Sequence, residues 1–441
     1  MNQPDSLLER IFHIRARGSS VRTELLAGLT TFVTMAYVIF VYPGILSAAG
    51  IPMEAAIAAT IYASMAGSLL MGLWVNFPVA LAPAMGISVF FAYYVCGIVG
   101  LHWSVALGTV FWSGVIFLIL TVTRLREKLI NSIPLNLKYA IVVGIGMFIA
   151  LIGLKNAGIV VANESTLVTL GSLGKPEPLL ACIGMILMIC LMIRNVQGAI
   201  FIGVLVTTVL AMITGVAPLP TGLHNILSVN LPSPAPVLFK LDIVGALHYS
   251  TLPIVVTFTI VALFDNMGTL IGLTRKAGFM HDDGHIDNIG KALAADSVGT
   301  IISSFVGTST VASYVESASG IAQGGRTGLT AITVAGLFAL ALLFSPIISL
   351  VPACATAPAL VIVGAIMMSD VRHIDFTDFT EGFPAFLTII MMPMTYSIAS
   401  GIGFAFISYP LIKLLTGRAR DLNICTWVIA LLFLINFIIL S

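Results

Sequence analysis

The chain is poor in charge. Of its 441 residues only 9% are charged, against 59% hydrophobic, whereas soluble domains carry about 25% charged residues. That scarcity excludes a soluble globular fold and makes this a polytopic membrane protein. Net charge is +1, which gives no support to a nucleic-acid partner. The five cysteines (Cys96, Cys182, Cys190, Cys354 and Cys425) form no CxxC pair. Neither a disulfide framework nor a zinc site is expected, and each reads as a small buried hydrophobe. Period-two alternation is missing from the apolar runs, which excludes an outer-membrane barrel. Histidine is missing from the apolar interiors: His13, His102, His224, His248, His281, His285 and His373 fall in loops or at edges, so no histidine proton relay is expected. Nor is a cleavable signal.

What the chain has is apolar runs. A spanning helix needs about 20 mainly apolar residues. Runs of this kind cover 25–46, 55–73, 78–99, 104–122, 137–155, 179–194 and 198–215. Past a Pro-rich loop at 216–250 they cover 251–273, 289–306, 308–325, 327–347, 353–369, 384–398 and 401–416. A last run, 423–440, is either a fifteenth span or an interfacial helix. Cytoplasmic loops are enriched in Lys and Arg. With the N-terminus inside and fourteen alternating spans, all of the 20 basic residues except Lys155, Lys175 and Lys240 fall on the cytoplasmic side. One span more or fewer would scramble that pattern. Residues 1–24 place Arg10, Arg15, Arg17 and Arg22 among Leu7, Leu8, Ile11, Phe12 and Ile14. They are expected to form a short amphipathic helix on the cytoplasmic membrane face, the alternative being a basic tail.

Two runs do not read as lipid-facing helices. Residues 307–330, GTSTVASYVESASGIAQGGRTGLT, are rich in small polar residues and hold one acid, Glu316. Non-helical backbone at membrane depth survives only when buried in protein or lining a polar cavity, and a carboxylate there costs about 2.5–3.5 kcal/mol on insertion scales. Residues 78–99 begin PVALAPAMG; Pro78 and Pro83 remove donors and Gly86 is permissive. These runs are the third and the tenth, each third in a set of seven, and an odd number of helices per repeat inverts the second half. Paired interrupted segments at matching places point to a transporter site; two ordinary kinked helices are the competing reading. The expected fold is all-α, with fourteen transmembrane segments in two inverted seven-helix repeats. The third and tenth helices are broken into a short extended piece and a half-helix, and an extra apolar helix ends the chain.

Three acids lie deep by this segmentation: Asp265 in ALFDNMGTLIG, Asp296 in ALAADSVGT, and Glu316. Intramembrane acids face the bundle interior and mark ion or substrate paths. The alternative is a helix-packing hydrogen bond, strongest for Asp296, which could bond Ser297 or nearby backbone. Asp265 and Thr269 share a helix face, and Asn266 adds polar surface. Ser313, Tyr314, Ser317 and Ser319 surround Glu316, while Ser88 stands near Phe90 and Phe91. Two facing half-helix N-termini alone would suit an anion. A carboxylate between them argues instead for a flat, neutral, N–H-rich heterocycle, because an ionised carboxylate is acceptor-only and takes two N–H donors side by side. A second acid is then available to take up a proton. The GGRTG turn (324–328) lacks the phosphate-loop spacing. The acidic, His-containing loops 281–287 and 370–381 lack helix-spaced metal ligands.

On these residues the chain resembles the AzgA-like branch of the nucleobase–cation symporter-2 superfamily, the purine base permeases. LFDNMGTLIG (263–272), KALAADSVGT (291–300), GTSTVASYVESASG (307–320) and GGRTGLTA (324–331) carry the resemblance. IGLKNAGIVVANESTLV (152–168) and NFPVALAPAMG (76–86) look most like bacterial adenine permeases. The resemblance implies a cytoplasmic segment (1–24), a core domain (25–122 and 251–347), a gate domain (123–215 and 348–441, including the C-terminal helix) and an extracytoplasmic loop (216–250). It implies proton-coupled import of purine bases, adenine first, then hypoxanthine or guanine, across a bacterial inner membrane by alternating access, with no enzymatic activity and no cofactor. Matched by motif, it assigns substrate contacts to Asp265, Glu316, Ser88, Ala84, Tyr314 and Val315, and proton coupling to Asp265, Thr269, Asp296 and Glu316. Family members often dimerise, so a homodimer is an option by analogy. Two positions depart from the branch. Met85-Gly86-Ile87-Ser88-Val89-Phe90-Phe91 stands where MGLNAFF is usual, and Val41-Tyr42-Pro43 where VNP is usual; both bear on which purine is taken. Rival readings are an anion carrier of the same fold, sodium-coupled uptake, and an intramembrane aspartyl protease using Asp265 and Asp296, which would want YD and GxGD motifs that neither acid has.

Overall fold

Backbone in an apolar run has no water to bond, so it must bond to itself, and each of the fifteen runs holds helix in the computed structural model. This describes residues 7–123, 125, 133–220, 222, 227–228, 230–248, 251–279, 286, 288–419 and 422–440, without the side chains of 264, 265, 267, 268, 424, 425, 436, 439 and 440. In order come α1 (Leu7–Phe12), α2 (Val21–Met35), α3 (Val38–Ala48) and α4 (Met53–Leu70, running into a π-helical turn, Met71–Val75). Strand β1 (Leu81–Pro83) leads into α5 (Met85–Val89), which continues as π-helix over Phe90–Ile98. Then follow α6 (Trp103–Val122), α7 (Leu135–Asn156), β2 (Val160–Asn163), β3 (Leu167–Leu170), α8 (Pro176–Ile193) and α9 (Ala199–Ile213). The second half has α10 (Leu252–Lys276), α11 (Ile289–Val306), β4 (Val311–Ser313), α12 (Ser317–Ala322), α13 (Gly328–Ala341), α14 (Ser345–Ser349), α15 (Ala353–Met367), α16 (Phe379–Met394), α17 (Ile398–Leu415) and α18 (Ile424–Leu440).

Among the described residues eight helices are long and apolar enough to cross a membrane, and α2 with α3, bent by 42°, make a ninth if counted as one span. The remaining apolar helices, α18 and the π-extended α5 among them, fall short of that test on their own.

The fold is mostly helical rather than all-α. Among the described residues two antiparallel two-stranded sheets interrupt it, β1 with β4 and β2 with β3. The β2–β3 hairpin is exposed. Asn163 Oδ1 turns its chain by accepting from the N–H groups of Ser165 (2.9 Å) and Thr166 (3.0 Å), as Asn side chains do in turns. Its sequence, VVANESTLVTL, is two β-branched runs about a polar turn, a hairpin pattern too short to stand out between spans.

Close helix contacts use glycine, as expected where small residues let backbones approach. A Cβ on Gly72 would lie 2.7 Å from the Gly328 carbonyl oxygen, and one on Gly146 would lie 2.7 Å from that of Gly364. The first contact joins the end of α4 to the start of α13, the second joins α7 to α15.

The N-terminal segment turns its apolar residues into the protein. Leu7 and Ile11 stay exposed, but Phe12 and Ile14 are buried and pack with Leu329. The cause is the start of α13, whose first N–H groups need acceptors. Glu24, fully buried, accepts from the N–H groups of Arg326 (2.8 Å) and Thr327 (3.2 Å) and from the Thr330 hydroxyl (2.6 Å). Asn76 Oδ1 accepts from Gly328 N–H (2.7 Å), and its amide donates to the Phe12 carbonyl (2.9 Å). Arg17 bolts the arrangement, donating to the carbonyls of Asn76 (2.5 Å) and Arg326 (3.1 Å). The short helix expected on the membrane face is therefore half docked.

Glu24→Ala strands the N–H groups of Arg326 and Thr327 and leaves the Thr330 hydroxyl only the residue 24 carbonyl at 3.4 Å, at about 1–3 kcal/mol for each group left unmatched. The expected result is a clear fall in the melting temperature of the detergent-purified protein, while Glu24→Gln, which keeps one acceptor, falls less. Equal melting temperatures for Glu24→Ala and the native chain would contradict this account.

Candidate functional site

The site is built on two stretches of chain that cannot stay helical. At its N-terminal side α11 ends at Gly307 with φ 99°, where an added Cβ would come 2.6 Å from the Val237 Cβ; both the left-handed turn and the contact require glycine. The chain then runs extended through β4. In the other half, Pro78 and Pro83 deny helix the donors it needs, and β1 forms. The strands cross in antiparallel register, Leu81 opposite Ser313, Ala82 opposite Ala312 and Pro83 opposite Val311. Ala84 N–H donates to the Thr310 carbonyl (2.9 Å) and Tyr314 N–H to the Ala80 carbonyl (3.0 Å), extending the ladder at both ends.

A two-stranded ribbon has two outer edges, and residues 79–84 and 308–314 are buried throughout. Their spare backbone groups are met by side chains. Ser68 Oγ accepts from Leu81 N–H (3.1 Å) and donates to its carbonyl (3.0 Å). Ser317 Oγ accepts from Ala80 N–H (3.0 Å). Ser303 Oγ donates to the Ser309 carbonyl (2.8 Å), Ser88 Oγ to the Ala84 carbonyl (2.5 Å) and the Tyr314 phenol to the Pro83 carbonyl (2.6 Å). Asn266 Oδ1 accepts from Ser313 N–H (3.2 Å), and the same amide donates to Asp296.

Burial ends where β4 hands over to α12. Val315 is 59% exposed, between the buried Tyr314 and the half-buried Glu316. Glu316 directly precedes α12, and its Oε1 accepts from the Tyr37 phenol at 2.6 Å. The carboxylate therefore stands beside the ribbon, next to the exposed Val315.

The ribbon carries Ala84 at one end, opposite Thr310, and Tyr314, Val315 and Glu316 at the other, with the Tyr314 phenol reaching back to the Pro83 carbonyl. Asp296, fully buried on α11, reaches the ribbon through Asn266 and not through Ser297, whose hydroxyl donates to the Leu293 carbonyl (2.8 Å). Ser88 is fully buried in a cluster of hydroxyls, 2.6 Å from Tyr42 Oη and 2.6 Å from Ser309 Oγ, apart from the hydrogen bonds around Glu316. Thr269 is half-buried on α10. The Asp265 side chain lies outside the described residues; its backbone is in the middle of α10, which packs against β4, α12 and α5. Loop 281–287 also lies outside them, apart from Ile286. Among the described residues no group of three His, Cys, Asp or Glu side chains could hold a metal ion. Sequence reasoning missed Tyr37 and the ribbon-edge hydroxyls of Ser68 and Ser303. The one available signal for Tyr37 was a tyrosine in an apolar run, five residues before the unusual Tyr42.

Residues 22–416 match the permease family, Xan_ur_permease. The chain belongs to the nucleobase–cation symporter-2 family of permeases. It is 49% identical to a protein of Methanocaldococcus jannaschii named as a permease, over 98% of this chain and 99% of that one. It is 43% identical to the adenine permease AdeQ of Escherichia coli, over 98% and 97%, and 43% identical to the guanine/hypoxanthine permease PbuO of Bacillus subtilis, over 98% and 100%. The permease is thus a multi-pass membrane protein and not an enzyme. Its fold is similar to the transmembrane domain of a cyanobacterial bicarbonate transporter, BicA (TM-score 0.64, 16% identity, 86% of this chain and 97% of that one). It is also similar to SLC26A9 (TM-score 0.66, 11% identity, 93% and 69%). At such identities the likeness concerns the fold alone.

Ser68 serves the ribbon edge. Ser68→Ala should lower stability by about 2 kcal/mol, because it leaves both backbone groups of Leu81 unmatched. Thermal melts in detergent check this; an unchanged melt would mean that the ribbon edge is satisfied in some other way.

Proposed function

We propose that this permease is a symporter that imports purine nucleobases, adenine first and hypoxanthine or guanine next, together with protons. The observation that carries the proposal is the Glu316 carboxylate beside the ribbon and the exposed Val315, one oxygen engaged by Tyr37. An ionised carboxylate offers about four lone-pair sites, so capacity remains for the paired N–H groups along one edge of a purine. The Val315 backbone and the ring of Tyr314 adjoin Glu316 in the chain and are suited to the rest of a flat heterocycle; Ala84 is a further contact implied by the resemblance, its own N–H and carbonyl being engaged by Thr310 and Ser88. The names of the relatives, adenine and guanine/hypoxanthine permeases, support the substrate class.

Proton coupling is assigned to Asp265, Thr269, Asp296 and Glu316. Asp296 would act on the site through Asn266, whose amide spans the distance from its carboxylate to the backbone of β4. The chain would cross an inner membrane fourteen times as two inverted seven-helix repeats, with its N-terminus in the cytoplasm. β1 with α5 and β4 with α12 would be the broken third and tenth spans. Antiparallel pairing of β1 with β4 supports this, since matching segments of inverted repeats meet head to tail. A core domain (25–122 and 251–347) carrying the ribbon would move against a gate domain (123–215 and 348–441) to expose the site to each side in turn.

An anion carrier of the same fold is the second reading; the fold it shares with a bicarbonate transporter does not choose the cargo. A carboxylate beside the ribbon opposes this reading, because it repels an anion.

Uptake of labelled adenine and hypoxanthine by a permease-deficient bacterial strain decides among these. The native chain should accumulate at least one base, a protonophore should abolish uptake, and Glu316→Gln should reduce it at least about tenfold. Normal transport by Glu316→Gln, or competition by sulfate and not by purines, would refute the proposal. Uptake that survives the protonophore and needs Na⁺ would make sodium the coupling ion.

A further inference from the structure

Tyr37 stands at the joint between α2 and α3, the one bent pair of apolar helices among the described residues, where the axis turns by 42°. Its side chain is 2% exposed. Unlike the phenol of Tyr314, its hydroxyl does not serve the ribbon; it donates to Glu316 Oε1 at 2.6 Å. About one turn earlier Thr34 Oγ1 lies 2.9 Å from Ser319 Oγ, which itself donates to the Glu316 carbonyl at 2.6 Å. The end of α2 therefore reaches both the main chain and the carboxylate of residue 316. A glutamate side chain loses substantial rotamer freedom when it is fixed. A charge-assisted phenol–carboxylate bond is short and strong enough to fix it before a ligand arrives.

We infer that Tyr37 is a positioning residue for the substrate. It holds the Glu316 carboxylate in one orientation, with its remaining lone pairs left for a ligand beside Val315, and it ties that orientation to the bend between α2 and α3. The inference rests on the nucleobase reading and adds a residue to it. Pre-organising the acceptor lowers the ordering cost of binding, and the hydroxyl rather than the ring does this. Its removal should weaken binding and leave the fold intact. The effect should also vanish when the carboxylate is withdrawn from the phenol.

Four full-length proteins test this: the native chain, Tyr37→Phe, Glu316→Asp and the double variant. Each is purified in detergent, and titration calorimetry with adenine and with hypoxanthine is run beside a ligand-free thermal melt. Tyr37→Phe should bind about tenfold more weakly, equivalent to about 1.4 kcal/mol, with an unchanged melt. In Glu316→Asp the carboxylate is one methylene short of the phenol, so adding Tyr37→Phe should change affinity by less than about twofold. Native-like affinity in Tyr37→Phe overturns the inference. So does an equal loss in both backgrounds, or a loss matched by a lowered melt. If the native chain itself binds neither base, the nucleobase reading falls and the inference with it; native binding separates that failure from the others.

Discussion

Everything at the centre of this molecule depends on one constraint: extended backbone buried among apolar helices must find a partner for every N–H and C=O. The bilayer offers no water for this, and an unmatched group costs several kcal/mol. Two strands of three residues satisfy only their facing edges. The outer edges are met by hydroxyls and one amide drawn from α4, α5, α10, α11 and α12: Ser68, Ser88, Asn266, Ser303 and Ser317. Most of the polarity around the ribbon is thus committed to the scaffold. Glu316 stands out as a carboxylate beside the ribbon that bonds none of its backbone, whereas the Thr310 and Ser313 hydroxyls on the ribbon are buried without a partner among the described residues.

The same constraint governs what could be read from the sequence. Long helices were legible because a bilayer leaves the backbone few other solutions, and each apolar run does contain helix. The interruption at 78–84 was legible from Pro78 and Pro83, and that at 307–314 from its run of small polar residues. Pairing between them was not, because a three-residue strand carries no usable periodicity and its partner lies in the other half of the chain. The β2–β3 hairpin escaped for a related reason: its strands have four residues each and sit between spans. Docking of Phe12 and Ile14 was hidden as well, since an amphipathic segment looks the same whether its apolar face meets lipid or protein.

Within the site, Glu316 was legible as a charge with no reason to be in an apolar run. The role of each hydroxyl was not, because a serine that closes a strand edge and a serine that touches a ligand are the same letter. Ser88 illustrates the difficulty. By the resemblance it stands where an asparagine is expected, and Tyr42 where another residue is expected, and read singly each difference looks like a change at the binding surface. In the structure they face each other, Tyr42 Oη lying 2.6 Å from Ser88 Oγ. A short side chain on α5 is met by a long one from α3, with Ser309 and Thr308 completing the cluster. The two positions are partners in one hydroxyl cluster, and that relation exists only in three dimensions.

The ribbon also dictates an order of events when the chain is made. Ala80 and Ser317 are 237 residues apart in sequence, so the first strand is synthesised long before its partner. Chains emerge at roughly 5–20 residues per second, which leaves β1 waiting on the order of ten seconds or more. During that interval Ser68, only 13 residues away from Leu81, is the nearby group able to occupy its N–H and carbonyl. That serine serves the outer edge alone; the edge that faces β4, with the Ala80 carbonyl and the Ala84 N–H, stays open until residues 310–314 are made.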